Sequence, residues 1–137
     1  MNTPTFSFHH VAISVRDIEQ SKDFYEQIFG FELYQKYDTN DLKIYLLKLN
    51  SFTLELFWFK EQEIISNIKQ EELQNLSKIG VKHFALKVDN LEEVREYLIQ
   101  HNIEIYKDIT IGRNPLKYLF LKDPNGIQVE IVEKIRT

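Results

Sequence analysis

Apolar residues first fall into a clear rhythm at Phe8 to Val15, where Val11, Ile13 and Val15 lie on one side of an extended chain and His10, Ala12 and Ser14 on the other. Asp17 then offers a side-chain oxygen to the free N–H groups of a helical first turn. Gln20 stands three residues on, as in a capping box, so a helix is expected to about Phe29, closed by Gly30 in a left-handed conformation. Phe31 to Tyr37, Leu42 to Leu49 and Phe52 to Phe59 read as three strands. The same order of elements then returns. Lys82 to Val88 alternates like Phe8 to Val15, Asn90 and Glu93 repeat the cap, and a helix runs to about His101 with Asn102 at its left-handed end. Strands follow at Ile103 to Ile109, Leu116 to Leu121 and Ile127 to Glu133, with a tight turn at Asp123-Pro-Asn-Gly126 between the last two.

The residues themselves repeat as well as the elements. His10-Val-Ala-Ile-Ser-Val-Arg-Asp-Ile-Glu19 recurs as His83-Phe-Ala-Leu-Lys-Val-Asp-Asn-Leu-Glu92, Phe31-Glu-Leu-Tyr34 as Ile103-Glu-Ile-Tyr106, and Asn50-Ser-Phe-Thr-Leu-Glu55 as Asn125-Gly-Ile-Gln-Val-Glu130. The expected class is α+β: one domain, 1–137, of two βαβββ modules at 6–59 and 81–134, each a curved mixed sheet forming a half-barrel with its helix outside. The connector 60–80 is charged and carries Ile64, Ile65, Ile68, Leu73 and Leu76 at loose helical spacing, as a short helix, a lid, or a plain surface connection shielding a sheet edge.

Composition narrows what such a fold does. A chain of 137 residues buries a core without a staple, so a bound metal is expected to serve function. The net charge of -4, with both signs interspersed, leaves no basic stripe for phosphates, and nucleic acid is not an expected partner. With no cysteine there is no disulfide, thiolate ligand or cysteine nucleophile, and metal ligands come from His, Asp and Glu. The first residues lack the basic and apolar regions of a signal peptide, and no apolar run approaches the roughly 18 residues of a membrane span. A cytoplasmic protein that handles a small molecule, away from membranes, is expected.

Strand parity picks the candidate site. If Val11, Ile13 and Val15, and likewise Phe84, Leu86 and Val88, pack against helices, then His10 and His83 turn to the opposite faces, where Glu55 and Glu130 occupy matching places in the last strand of each module. Any one of these taken alone reads as a satisfied core histidine or a carboxylate paired with Lys or Arg. At symmetric positions, two inward carboxylates imply a shared cation, because a buried one without a partner costs several kcal/mol. His10, Glu55, His83 and Glu130 offer two imidazoles and two carboxylates, a donor set for one Ni, Co, Zn, Mn or Fe ion with two octahedral positions left for water or substrate. His9 has the other parity and no counterpart, Lys82 standing in its place, and reads as structural or interfacial. His101 suits a helix C-terminus.

At these residues the chain resembles the vicinal oxygen chelate superfamily of glyoxalases, bleomycin-resistance proteins and dioxygenases. The likeness is carried by His10 to Asp17 with Phe24-Tyr25 and Phe29-Gly-Phe31, by His83 to Asp89, and by Asp123-Pro-Asn-Gly-Ile-Gln-Val-Glu130. Within it, the ligand order His, Glu, His, Glu is similar to that of bacterial glyoxalase I, whereas methylmalonyl-CoA epimerases typically carry Gln at the place of Glu55. The resemblance implies a lyase or isomerase, of the lactoylglutathione lyase type, that converts a hemithioacetal of methylglyoxal and a thiol to a thioester through an enediolate stabilised by the metal. Glu130 is the first candidate for the base and Glu55 the second. It also implies a homodimer. Ser14 and Phe59 stand where glutathione-using enzymes usually carry Arg and Asn, which points away from glutathione; Thr53, Phe57, Lys87, Gln128 and Arg113 are the other candidate contacts. A metal-dependent epimerase of an acyl thioester, or a binding protein using the aromatic residues of Phe57 to Phe59, are the alternatives.

Overall fold

The computed structural model describes residues 3–63, 76–114 and 116–134. The chain divides into two compact units, Met1–Gln62 and Glu63–Thr137, with the division inside the expected connector. Of the apolar connector residues, Ile64, Ile65, Ile68 and Leu73 lie outside the described residues, and Leu76 is exposed.

The first unit runs β1 (His10–Ser14), α1 (Ile18–Phe29), β2 (Glu32–Asp38), β3 (Leu42–Leu49) and β4 (Phe52–Phe59). The second runs β5 (Phe84–Lys87), α2 (Leu91–Gln100), β6 (Ile105–Ile111), β7 (Leu116–Lys122) and β8 (Gln128–Lys134). Each unit holds one mixed four-stranded sheet, ordered β1-β4-β3-β2 and β5-β8-β7-β6. The first strand of each lies parallel to the last, and the other neighbours are antiparallel. This is the α+β arrangement of two βαβββ modules that the repeat implied.

Local chemistry explains the elements. Asp17 Oδ1 accepts the N–H of Gln20 at 3.1 Å and Asn90 Oδ1 that of Glu93 at 3.1 Å, so both helices open on the expected caps. Gly30 closes α1 at φ 82°, and Asn102 follows α2 at φ 59°. At the end of α2 the N–H of Ile103 reaches the carbonyl of Leu98 at 2.9 Å and that of Asn102 reaches Ile99 at 3.0 Å, a Schellman closure. That closure occupies Ile103, so β6 begins at Ile105 rather than at 103 as the sequence suggested. Asp123 Oδ1 accepts the N–H groups of Asn125 (2.8 Å) and Ile127 (2.9 Å), which fixes the turn into β8.

Each sheet turns one face to its own helix. In the first unit Ile13, Val15, Tyr45, Leu47, Leu54 and Leu56 are buried with Ile18 and Tyr25 of α1; in the second, Leu86, Leu119, Leu121, Val129 and Ile131 are buried with Leu91 and Leu98 of α2. On the opposite face of the first sheet His10, Ala12 and Ser14 are all exposed, whereas the opposite face of the second also buries Phe120 and Gln128. Among the described residues no helix is long and apolar enough to cross a membrane.

Candidate metal centre

The register of the parallel pairs places the candidate ligands. Ala12 is opposite Glu55 and Ala85 is opposite Glu130, so in each sheet the histidine is one same-face step before the carboxylate's partner. Alanine at both places puts only a methyl group beside the carboxylate. His10 Nε2 lies 3.6 Å from Glu55 Oε1, and His83 Nε2 lies 3.2 Å from Glu130 Oε2. The side chains keep 42% and 21% exposure in the first pair and 26% and 17% in the second, leaving both approachable.

These pairs suit a metal. Two donors about 2.1 Å from one ion at right angles stand about 3 Å apart; the His83–Glu130 pair at 3.2 Å is close to that spacing, and the His10–Glu55 pair at 3.6 Å is wider. The structure thus brings His10 to Glu55 and His83 to Glu130, each within its own unit. Among the described residues no group of three or more His, Cys, Asp and Glu forms a single cluster.

The surroundings of the two pairs differ. Nδ1 of His10 is 2.8 Å from Nδ1 of His9, so one ring donates and the other accepts, and the rings meet edge to face at 5.0 Å. His9, set aside on parity, is thus the polar neighbour of a candidate ligand. His83 instead packs edge to face on Phe120, ring centres 4.9 Å apart, and Phe120 is opposite Glu130 across β7 and β8. His101 caps its helix through Nδ1 on the carbonyl oxygen of Tyr97 at 2.8 Å, away from this chemistry.

A second repeated feature, the matched tyrosines Tyr34 and Tyr106, flanks each glutamate through contacts that the repeat alone did not foretell. Tyr34 and Tyr106 sit where the pairing of β2 with β3 and of β6 with β7 slips by one residue. A bulge re-aims the side chain at that point. Tyr34 Oη is 3.5 Å from Thr53 Oγ1, and Tyr106 Oη donates to Gln128 Oε1. Lys48 covers the Tyr34 ring at 5.3 Å and Lys122 the Tyr106 ring at 5.2 Å. Burial, followed by the negative charge of Glu130, pushes the Tyr106 phenol up to about 12, so at neutral pH its hydroxyl remains a donor.

Phe57 and Phe59 stack in near-parallel planes (10°) on the face of β4 that carries Glu55. Ser14 is opposite Phe57 at the exposed end of β1, Lys87 is exposed opposite Val132, and Arg113 is exposed in the loop before β7.

Comparison with known proteins agrees with this architecture. A sequence model of the Glyoxalase/Bleomycin resistance protein/Dioxygenase superfamily matches residues 7–131, and the chain belongs to that superfamily. It is 30% identical over 132 residues to the uncharacterized protein YaeR of Escherichia coli, covering 92% of this chain and 95% of that one. It is 28% identical over 152 residues to a lactoylglutathione lyase of Pseudomonas putida, covering 96% and 87%. Among solved structures, a glyoxalase family protein from Enterococcus faecalis superimposes with a TM-score of 0.77 at 28% identity, over 93% of this chain and 97% of that one.

Proposed function

We propose that this protein is a divalent-metal-dependent lyase or isomerase of the glyoxalase I type, in which His10, Glu55, His83 and Glu130 together hold one Ni, Co, Zn, Mn or Fe ion. The observation that carries the reading is the repetition of one imidazole–carboxylate pair on the face of each sheet that is turned away from its helix. The similarity to a lactoylglutathione lyase along most of both chains supports the reaction type.

When bound, the metal supplies Lewis-acid stabilisation of negative charge on two adjacent substrate oxygens, an effect of several kcal/mol. The chain's own groups do the rest. Glu130 takes the proton from the carbon that bears the thiol and returns it to the neighbouring carbon, which turns a hemithioacetal of methylglyoxal into a thioester with no net redox change. Its carboxylate is suited to this by partial burial beside Phe120, and Glu55 is the second candidate for the same role. The Phe57–Phe59 stack makes an apolar wall on the face that carries Glu55. Ser14 and Phe59 favour a thiol other than glutathione, and a homodimer is the expected assembly.

Elemental analysis of freshly purified protein tests the site, with about one metal per chain expected. Chelation followed by restoration of Ni, Co, Zn, Mn or Fe singly, with methylglyoxal and a panel of thiols, tests the reaction. Failure to form thioester with every metal overturns the glyoxalase assignment. Exchange of the α-proton of a 2-methylmalonyl thioester in its place assigns an epimerase. Protein that carries no metal, and whose ligand affinity is unchanged in His83→Ala, is a binding protein instead.

A further inference from the structure

Gln128 is 9% exposed and lies two residues from Glu130 on the same face of β8, about 7 Å along the strand. Its carbonyl oxygen is taken by the Tyr106 hydroxyl. Its amide nitrogen, which carries two donors, has no partner among the described residues. No buried side-chain nitrogen or oxygen is left unsatisfied among those residues, so that nitrogen is still reached by solvent. Tyr106 therefore fixes which end of the amide is turned away from it, and the free end is a donor.

Lys122 is opposite Gln128 in the ladder, and its ammonium group covers the Tyr106 ring. No carboxylate among the described residues lies within ion-pair distance of Lys122, whereas Lys117 on the same strand has both Glu92 and Glu133. A free cation and a free amide donor thus stand side by side, next to a glutamate. The first unit keeps the frame of Tyr34 and Lys48 but ends in Thr53, whose single hydroxyl already faces Tyr34. The difference confines this donor pair to the second unit.

We propose that Gln128, oriented by Tyr106 and joined by Lys122, is a substrate-recognising site for a carboxylate, so that the molecule handled beside Glu130 is an anion. The inference rests on Glu130 lying at the reacting end of the substrate, and it adds the charge class of the group that Glu130's neighbours hold. A carboxylate offers about four acceptor lone pairs, enough to take the amide and the ammonium together.

The probe is 3-(methylthio)propanoate, an unreactive thioether acid, with 3-(methylthio)propan-1-ol as its neutral match, titrated into the zinc-loaded and metal-free protein, zinc being diamagnetic. The side-chain amide resonance of Gln128 in 1H–15N spectra reports binding without turnover. Expected is a saturable shift with the acid and none with the alcohol at equal concentration. Gln128→Glu keeps the acceptor for Tyr106 and replaces the donor by a negative charge, so affinity for the acid falls at least tenfold, read on the backbone amides of β8. Lys122→Met lowers it about fivefold, and Tyr106→Phe, which leaves a ring under Lys122, lowers it two- to threefold. Equal response to acid and alcohol, or unchanged affinity in Gln128→Glu with an intact amide spectrum, overturns the inference. Because no catalysis is needed, a protein that binds the acid in this way but forms no thioester retains the carboxylate site and loses only the glyoxalase reading. Turnover of methylglyoxal adducts with equal KM for 3-mercaptopropanoate and 3-mercaptopropan-1-ol does the reverse.

Discussion

Nε2 of His83 stands 3.2 Å from Oε2 of Glu130, and both side chains are part-buried, at 26% and 17% exposure, so that water still reaches the pair. A contact that water still reaches stabilises the fold little, on the order of 1 kcal/mol or less. The expected consequence is a separation of effects: Glu130→Gln and Glu55→Gln change the thermal midpoint of metal-free protein by less than about 2 °C. Their affinity for nickel falls by more than about 100-fold, since loss of even an outer-shell partner costs 10- to 100-fold. Parallel melting and metal titrations check this.

His9 makes a sharper case, since it touches a candidate ligand without being one. A ligating imidazole generally gives its second nitrogen a partner that fixes the ring, and the Nδ1 to Nδ1 distance of 2.8 Å supplies one for His10. His9→Phe is expected to weaken nickel binding roughly tenfold with the fold intact, and His9→Gln, which restores an acceptor, to recover most of it. Lys82→Phe, at the equivalent place before His83, should leave affinity within about twofold. Calorimetric titration of the three variants separates these outcomes.

The two N-caps are equivalent in geometry, each accepting at 3.1 Å from the third helical N–H. Asp17→Ala and Asn90→Ala should each cost about 1 kcal/mol. They share no partner, so the double variant should lose close to the sum. Urea unfolding of the four proteins measures it.

Alkaline titration tests the environment of Tyr106. The phenol rises from 10.0 to about 12 in the folded protein, first through burial and then through the charge of Glu130. The folded state thus holds this proton more tightly than the unfolded chain does. The contribution to stability is fully present below about pH 10 and drains away as pH climbs through about 12. Phenolate absorbance should lose a step near pH 12 in Tyr106→Phe, and that step should move to lower pH in Glu130→Gln.

Much of the fold was legible because the chain states its pattern twice. β3 and β4 fall at 42–49 and 52–59 as the alternation suggested, and the caps at Asp17 and Asn90 and the left-handed residues Gly30 and Asn102 hold. Parity also told which face carries His10, since Ile13 and Val15 are buried while Ala12 and Ser14 are not. It failed where the ladder is irregular. Tyr34 and Tyr106 sit at slips in strand pairing, which a period of two does not foresee, so their contacts with Thr53 and Gln128 went unread. His9 precedes the first paired residue of β1 and is not bound to the alternation by which it was set aside. The shift of β6 came from the Schellman closure, which takes Ile103 out of the strand.

The parallel docking of β1 on β4, and of β5 on β8, also sets an order of events during synthesis. His10 and His83 emerge from the ribosome with the first strand of their module, while Glu55 and Glu130 come with its last. Each imidazole waits for its carboxylate through a helix and two strands, and the contact they make is among the most distant in sequence that the module contains. Such pairings form late because loop closure must come first. A module cut short before its last strand therefore keeps the imidazole of His10 or His83 and lacks the carboxylate that stands beside it in the finished sheet.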